Sequence, residues 1–299
     1  MRKEFYKYLT NLFKKNDKLC ILLGDIGVFS FRDSFKHDPN RIYNLGIMEQ
    51  TMIGVACGLS KSGFVPFVHS IAPFITERCY EQLKLNLGYE NVNCFLVSVG
   101  NSYDYSSLGC THHCPNDLNI VSSIPNFKTF CPGNSNDVKK IISSTITEPS
   151  PKYIRLSETE NNLASIKSNY EDLEILKLDK RGICIVVGNA IHDFKLLLDA
   201  NINSTIIYTY NVSNFDINKL NIIIESNKIF KKITLVEPCY DSGILSQIAT
   251  SQKNIESLKS ISIPKIFIEK YGKKDNIDKH LKLDDASIIE SLKAVYNNN

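Results

Sequence analysis

GIMEQ, residues 46–50, stands between a segment that predicts a buried strand and one that predicts a helix. Residues 21–29, ILLGDIGVF, begin with branched apolar side chains and stop at a glycine and an aspartate, as buried strands do. Apolar residues then recur at helical spacing from Met48 to Leu59, and VPFVHSI (65–71) restarts as a strand. Glu49 therefore opens a largely apolar helix, where a carboxylate either interacts with the helix dipole or has a chemical task.

The overall composition is typical of a soluble globular protein, with 43% hydrophobic residues and a net charge of +3 over 299 residues. This charge does not indicate binding to nucleic acid or to a membrane surface, and no run of about 18 apolar residues predicts a transmembrane helix. The nine cysteines are scattered through apolar segments. That distribution favours reduced, buried thiols and a cytoplasmic location.

Alternating strand and helix patterns predict an α/β protein of two domains, each a mostly parallel sheet flanked by helices. The first domain is predicted over residues 1–165, a polar and charge-mixed linker over 166–179, and the second domain over 180–299. We also expect a helix over Phe74–Leu87 and a late strand in PKIFIEKYG, residues 264–272.

The run GIMEQ-x-x-x-G-x-A-x-G-L, followed by F-V-P-F-V, resembles the pyrimidine-binding domain of transketolase-like, thiamine-diphosphate-dependent proteins. The resemblance implies that 1–165 is this domain and that 180–299 is the family's C-terminal domain. It also implies that Glu49 hydrogen-bonds ring nitrogen N1′ of the aminopyrimidine, promoting the imino tautomer that removes the C2 proton. Such chemistry suits a carboxyl group held in an apolar pocket.

The same resemblance implies roles for further residues of this chain. Phe74 matches an aromatic residue that stacks on the aminopyrimidine ring. Asp25 matches a carboxylate near the thiazolium side of the cofactor, although a turn-forming aspartate is the alternative. His69 is expected at the carboxyl end of a strand, where a substrate contact and a structural role both remain open. Arg78 is interpreted as a solvated or interface charge.

The loop over Tyr103–Asp117 resembles the family's G-x-T/S-H-x loop, which gives His112 the active-site position. An imidazole there can donate to an oxygen that develops charge, and it can shuttle a proton. Leu108 departs from the family, because ordinary transketolases carry a substrate-contacting aspartate there. Tyr105 is among the side chains that can replace it, and His113 is a further candidate substrate contact.

The motif CTHHC, residues 110–114, also contains zinc-ligand types, but they lie too close together for the usual knuckles of a structural zinc site. We therefore expect no metal ligand in this chain. YIRLSE, residues 153–158, resembles the strand where many relatives place a phosphate-binding arginine. Glu158 occupies that position and Arg155 lies three residues earlier. Either Arg155 substitutes for it, or the acceptor is not a simple sugar phosphate.

The sequence lacks the GDG motif and downstream asparagine that hold magnesium and the diphosphate in this family. The resemblance therefore implies the C-terminal subunit of a split transketolase, which transfers a two-carbon ketol unit between sugars or sugar phosphates. It implies thiamine diphosphate as cofactor, Mg²⁺ ligands from a partner subunit with the GDG…N motif, and an α2β2 assembly with self-association of this chain. The alternatives are the β subunit of a 2-oxo acid dehydrogenase decarboxylating component, a non-catalytic subunit that keeps the fold and, less closely, a 1-deoxyxylulose 5-phosphate synthase. The ketose donor and the aldose acceptor stay open.

Overall fold

A computed structural model describes residues 1–240 and 242–297 as two sheets flanked by helices, which confirms the predicted α/β class. The strands are β1 (Leu19–Leu23), β2 (Ile42–Asn44), β3 (Val65–Ile71), β4 (Cys94–Val99), β5 (Lys128–Phe130), β6 (Pro151–Arg155), β7 (Glu174–Lys177), β8 (Ile183–Val187), β9 (Thr205–Thr209), β10 (Lys232–Val236) and β11 (Ser257–Ile261). The α-helices are α1 (Arg2–Phe13), α2 (Arg32–His37), α3 (Glu49–Lys61), α4 (Ala72–Ile75), α5 (Tyr80–Gln82), α6 (Asp117–Ser122), α7 (Ser135–Thr145), α8 (Leu163–Ile166), α9 (Phe194–Asp199), α10 (Ile217–Asn227), α11 (Ile244–Ser251), α12 (Lys274–Leu281) and α13 (Asp285–Tyr296). A 3₁₀ turn spans Val28–Phe31, and a π-helical segment spans Leu83–Tyr89.

The first sheet has six strands in the order β2-β1-β3-β4-β6-β5, and every neighbouring pair is parallel. Strands β1 and β4 are buried along their whole length, because helices cover both faces of the sheet. This burial explains their nearly continuous apolar sequences. Since all six strands run in one direction, their carboxyl ends meet at a single edge.

The second sheet has five strands in the order β11-β10-β8-β9-β7. Its strands are parallel except β7, which pairs antiparallel with β9 through a register irregularity. Strand β7 lies inside residues 166–179, the segment predicted as a linker, and it hydrogen-bonds to the second sheet. The carboxyl ends of β8, β9 and β10 also meet at one edge.

Main-chain hydrogen bonds join the two sheets. Phe130 at the end of β5 forms an antiparallel bridge with Asn211, just past β9. The Cys131 amide donates to the Tyr210 carbonyl at 2.8 Å, and the Val212 amide donates to the Thr129 carbonyl at 3.0 Å. The outer side of β5 is therefore paired with the second half of the chain.

The predicted continuous helix over Phe74–Leu87 is divided in the structure into α4, α5 and the π-helical segment. At the break the Arg78 amide donates to the Pro73 carbonyl, five residues back, at 3.1 Å. The Thr76 hydroxyl donates to the Ala72 carbonyl at 2.7 Å. A local hydroxyl of this kind competes with the regular helical ladder, so the chain turns here and re-aims the side chains that follow.

The predicted strand over residues 264–272 is wrong, because the last strand of the described chain is β11 and these residues form neither strand nor helix. Pro264 lacks the amide that a ladder requires. Apolar side chains of this region instead pack over the 103–109 loop, where Ile263 and Ile268 join Tyr103 in a small core. The Tyr240 hydroxyl donates to the Ile266 carbonyl at 2.9 Å, and this bond holds the segment in place.

Each of the nine cysteines lies in the described part of the chain as a free thiol, and seven of them are buried. Within residues 1–240 and 242–297 no helix has both the length and the apolar character needed to cross a bilayer.

Candidate functional site

The carboxyl edge of the first sheet gathers most of the candidate residues that the sequence singles out. Asp25 lies two residues after β1, and His69 lies near the carboxyl end of β3. Glu49 opens α3, the helix that follows β2, and the loop after β4 carries Tyr105 and His112. Open parallel sheets form ligand sites at this edge, because the connections between strands diverge there.

Glu49 is a carboxylate buried at a helix N-terminus, with a side chain only 1% exposed. The Ser70 hydroxyl donates to its Oε1 at 2.7 Å, and the Arg78 Nη1 donates to its Oε2 at 3.0 Å. A carboxylate removed from water needs such partners, and the positive end of the helix dipole adds to their effect. Both oxygens of Glu49 are thus occupied by donors of this chain.

The half-buried ring of Phe74 lies next to the same arginine. The Arg78 guanidinium carbon stands 4.3 Å from the centre of the Phe74 ring. On another side, the His112 ring centre lies 5.3 Å away at an interplanar angle of 70°. The structure therefore brings Glu49, Phe74 and His112 into one group, in which Arg78 bridges the carboxylate and the aromatic ring.

His112 is half-buried and points towards this group. Its Nδ1 lies 2.9 Å from the Thr111 hydroxyl, and its amide donates to the Gly109 carbonyl at 3.0 Å. The Tyr105 ring centre is 6.1 Å from the His112 ring, nearly perpendicular to it. Burial raises the pKa of the Tyr105 phenol, and the nearby Arg2 charge opposes that rise. The imidazole is placed to exchange protons with a group above Phe74.

His69 is buried beneath the site and does not reach it directly. Its Nδ1 lies 2.7 Å from the Val97 carbonyl and therefore carries the hydrogen, while Nε2 lies 2.9 Å from the Tyr6 hydroxyl. The Arg2 Nε donates to the same hydroxyl at 2.6 Å. Burial lowers the pKa of His69 to about 4, so the imidazole is neutral. Sequence reasoning missed Arg2 and Tyr6, which extend this hydrogen-bond series from His69.

Asp25 is exposed and has a left-handed backbone conformation, with φ of 60°. The Asn44 side chain accepts from the Asp25 amide at 3.0 Å and donates to its Oδ1 at 3.1 Å. An aspartate tolerates this conformation when its side chain bonds locally. The turn is thus fixed by Asn44, and the second carboxylate oxygen remains at the surface of the edge.

His113 faces away from His112, between the rings of Tyr103 and Tyr271, whose centres lie 6.5 and 6.4 Å from its own. Burial lowers the pKa of His113, and the nearby Tyr105 carbonyl offsets part of that change. It borders a cavity of about 410 Å³ between the loop and residues 265–268. The structure does not bring His113 to the group around Glu49.

Arg155 also lies apart from this group, in the interior between the two sheets, and is only 1% exposed. Its Nε donates to Asp117 Oδ2 at 2.9 Å and its Nη1 donates to the Pro238 carbonyl at 3.1 Å. A further contact reaches the Ser102 hydroxyl. The guanidinium therefore links β6 and α6 of the first half to the second half.

Arg78 is the main participant that sequence reasoning missed, since a solvated or interface charge was expected there. Its four-residue spacing from Phe74 gave no usable signal, because the helix breaks between these two residues. Ser70 gave no signal beyond its place at the end of β3. Among residues 1–240 and 242–297, no three His, Cys, Asp or Glu side chains are arranged to hold a metal ion.

The sequence of this chain is similar to those of several known proteins. The family profile of the transketolase pyrimidine-binding domain matches residues 1–163. An uncharacterized 33.6 kDa protein in the fasciation locus of Rhodococcoides fascians is 30% identical, and the aligned region covers 95% of this chain and 91% of that protein. One subunit of the apulose-4-phosphate transketolase of Actinobacillus succinogenes is 31% identical over 53% of this chain and 52% of its own length.

The fold as a whole is also shared with a solved structure. A split-gene transketolase, solved as an inactive β4 tetramer, superposes with a TM-score of 0.81 at 20% identity. The match covers 98% of this chain and 97% of that one. At this identity the likeness establishes the fold of both halves. Because the family profile covers more than half of the chain and the Rhodococcoides relative aligns along nearly all of it, the chain belongs to the transketolase pyrimidine-binding-domain family.

Proposed function

We propose that this chain is the C-terminal, pyrimidine-binding subunit of a split transketolase, which transfers a two-carbon ketol unit between sugars or sugar phosphates with thiamine diphosphate. Residues 1–165 form the pyrimidine-binding domain, 166–179 the connection and 180–299 the family's C-terminal domain. The diphosphate and its Mg²⁺ are held by a partner subunit in an α2β2 assembly. The free, mostly buried thiols favour a cytoplasmic location.

One observation carries this proposal: a single flat cation contacts both the buried Glu49 carboxylate and the face of Phe74. An aminopyrimidine has the same two needs, because its ring nitrogen requires a carboxyl partner and its flat ring requires an aromatic face. The side chains present therefore fit the pyrimidine end of the cofactor. Asp25 lies at the same edge of the sheet and is proposed to face the thiazolium side.

The roles of this chain's residues follow from their surroundings. Glu49 shares a proton with the pyrimidine nitrogen, since its burial in an apolar helix end keeps water from competing. Phe74 orients the ring. His112 holds or moves a proton at the substrate oxygen on which charge develops. When bound, thiamine diphosphate supplies the carbon nucleophile that a ketose carbonyl requires.

The substrate contacts are proposed on the same basis. Tyr105 lies beside His112 and is placed to contact the hydroxyl groups of a sugar. His69 acts on this side of the site through the Tyr6 hydroxyl and Arg2. His113 faces away from the group around Glu49, so its proposed contact with substrate requires movement of the 103–114 loop. Arg155 lies on β6 between the two sheets, so its proposed contact requires a rearrangement between the two halves.

The surface around Glu49 supports the partner subunit. Ile47 and Met48 immediately precede this buried carboxylate, yet they are 67% and 54% exposed. Phe29, in the turn after β1, is 78% exposed. Large apolar side chains exposed along the edge that carries a polar site are typical of a surface that another protein covers. Among the similar proteins, the transketolase subunit supports a partner subunit, and the split-gene transketolase, solved as an inactive β4 tetramer, supports self-association of this chain.

Reconstitution tests the proposal. The chain is coexpressed with a subunit carrying the GDG…N half, and two-carbon transfer from ketose donors is assayed with thiamine diphosphate and Mg²⁺. We expect transfer by the complex and no tight cofactor binding by the purified chain in titration calorimetry. Tight, Mg²⁺-dependent binding by the chain alone would contradict the need for a partner.

The same assay separates the alternatives. Consumption of pyruvate with no ketol transfer would favour a 1-deoxyxylulose 5-phosphate synthase or a 2-oxo acid dehydrogenase component. A complex that binds the cofactor but reacts with neither donor class would point to a non-catalytic subunit. A panel of phosphorylated and unphosphorylated sugars then identifies the donor and the acceptor.

A further inference from the structure

Arg78 occupies both of the groups that the proposed function assigns to the aminopyrimidine. Its Nη1 donates to Glu49 Oε2 at 3.0 Å, and its guanidinium carbon stands 4.3 Å from the centre of the Phe74 ring. The other Glu49 oxygen already accepts from Ser70 at 2.7 Å. A pyrimidine nitrogen can therefore bond to Glu49 only if the Arg78 guanidinium leaves the Glu49 Oε2 atom.

The backbone of the chain holds Arg78 at this place. The break between α4 and α5 turns the residue back, and its amide donates to the Pro73 carbonyl at 3.1 Å. From α3, the Gln50 side chain donates to the Arg78 carbonyl at 3.2 Å. These two bonds fix the main chain of Arg78, so the side chain alone is free to leave.

The two partners differ sharply in their access to water. The Arg78 side chain is 42% exposed, whereas the Glu49 side chain is 1% exposed. A guanidinium at the surface regains hydration when it moves away, but a buried carboxylate without a donor is strongly unfavourable. Arg78 is thus easily displaced, but only by another group that can donate to Glu49.

We infer that Arg78 is a positioning residue that keeps the Glu49 carboxylate and the Phe74 ring in place in the cofactor-free chain and is displaced when the aminopyrimidine enters. The inference rests on the proposed function, since it concerns the same site. A guanidinium and an aminopyrimidine are both flat, and the pyrimidine ring nitrogen presents an N–H to Glu49 when it holds the proton that the two groups share, so the first can stand in for the second. Displacing Arg78 then opposes cofactor binding.

Arg78→Met tests this, because methionine keeps a long apolar side chain but has no donor and no charge. In the reconstituted complex we expect the thiamine diphosphate Kd to fall by about tenfold, the amount that one ion pair with a solvated guanidinium and one cation–π contact can supply together. In the free chain we expect the midpoint of thermal unfolding to fall by about 2–4 °C, since Glu49 loses its partner. Arg181→Met is the matched control, because Arg181 is 57% exposed in a surface pair with Asp179, and it should change neither value.

A double-mutant cycle shows whether the effect passes through Glu49. In a Glu49→Gln background, Arg78→Met should no longer lower the unfolding midpoint of the free chain, since no buried charge is left unpaired. Arg78→Lys keeps the charge but not the flat donor group, so its Kd should lie between those of wild type and Arg78→Met.

A Kd that rises or stays the same in Arg78→Met would overturn the inference, because Arg78 would then contact the cofactor or be indifferent to it. The inference would also be overturned if Arg78→Met lowered the unfolding midpoint as much in the Glu49→Gln background as it does in wild type. Failure of the proposed function looks different: the wild-type complex itself would not bind thiamine diphosphate, and the inference would fail with it.

Discussion

The carboxyl ends of both sheets gather polar groups, but those of the second sheet are hydrogen-bonded to the other half of the chain. At the first sheet, Arg78 contacts Glu49 and Phe74, and His112 lies beside the Phe74 ring. At the second sheet, the residues that follow the central strands accept hydrogen bonds from the first half. These bonds run from Asn161 to the Gly188 carbonyl at 2.9 Å, from Cys131 to the Tyr210 carbonyl at 2.8 Å and from Arg155 to the Pro238 carbonyl at 3.1 Å.

The difference shows that the carboxyl edge of a parallel sheet can serve either as a ligand-binding site or as a packing surface between the two halves of the chain. The rule that ligands bind at this edge holds for the first sheet. In the second sheet the same edge is the contact surface between the two halves. Variants at the carboxyl edge of the first sheet should therefore lower catalytic activity at little cost in unfolding free energy. Variants at the carboxyl edge of the second sheet should lower the unfolding free energy with little direct effect on catalysis.

Glu49→Gln should give the largest effect at the first edge. Glutamine keeps the size and can still bond to the pyrimidine nitrogen, but it cannot share a titratable proton. Hydrogen–deuterium exchange at C2 of the bound cofactor should slow by roughly 10²–10⁴-fold in the reconstituted complex. Glu90→Gln, which alters an exposed pair with Lys61, is the control. Exchange at the wild-type rate would remove Glu49 from its proposed role.

Arg155→Met probes the contact between the halves. It leaves Asp117, which is fully buried, without its ionic partner. Breaking such a pair typically costs about 3–5 kcal/mol of unfolding free energy. Urea denaturation should show this loss, while Arg181→Met should change stability by less than about 0.5 kcal/mol. A stable Arg155→Met protein with altered sugar preference would instead make Arg155 a substrate contact.

His112→Ala also tests the first edge, and it should reduce the rate less than Glu49→Gln does. Loss of one positioned proton donor typically lowers turnover by about 10²–10³-fold. Steady-state assays of the complex should show this decrease, with the cofactor Kd nearly unchanged. The exposed His280, in the last turn of α12, provides the control variant His280→Ala. Wild-type turnover in His112→Ala would give the residue a structural role.

The pH dependence of stability distinguishes His69 from an ordinary histidine. The unfolded imidazole takes up a proton near pH 6.5, whereas burial lowers the folded pKa to about 4. Between these values the unfolded state binds more protons, so the unfolding free energy should fall by about 3 kcal/mol as pH decreases from 6.5 to 4. Urea titrations across this range should show a flatter profile for His69→Gln than for wild type. Parallel profiles would mean that His69 is protonated in the folded chain.

The sequence predicted the first edge well because its signals are local. Helical spacing after Glu49 and the strand pattern before His69 were enough to place both residues at the sheet edge. The division of the predicted helix over Phe74–Leu87 was missed, since a threonine hydroxyl and a main-chain bond across five residues leave no periodic trace. Arg78 owes its position to that division, so its contact with Glu49 was missed as well.

The second edge was poorly predicted for a different reason. The contacts of Arg155 with Asp117 and Pro238 join residues that lie 38 and 83 positions apart. Spacing along the chain carries no information about such pairs. The segment over 264–272, with its short apolar run, was predicted as a strand, but apolar residues of this region pack on the 103–109 loop. Tertiary packing overrode a local β pattern there.

The bridge between Phe130 and Asn211 limits whether the two halves of this protein can be expressed separately. Cutting the chain after residue 165 would remove the main-chain partners of Thr129 and Cys131, and β5 would become an open edge strand. Open edges recruit strands from other molecules, which leads to aggregation. The pyrimidine-binding half is therefore a poor candidate for expression as a separate fragment unless a charged residue or a proline first protects the outer side of β5.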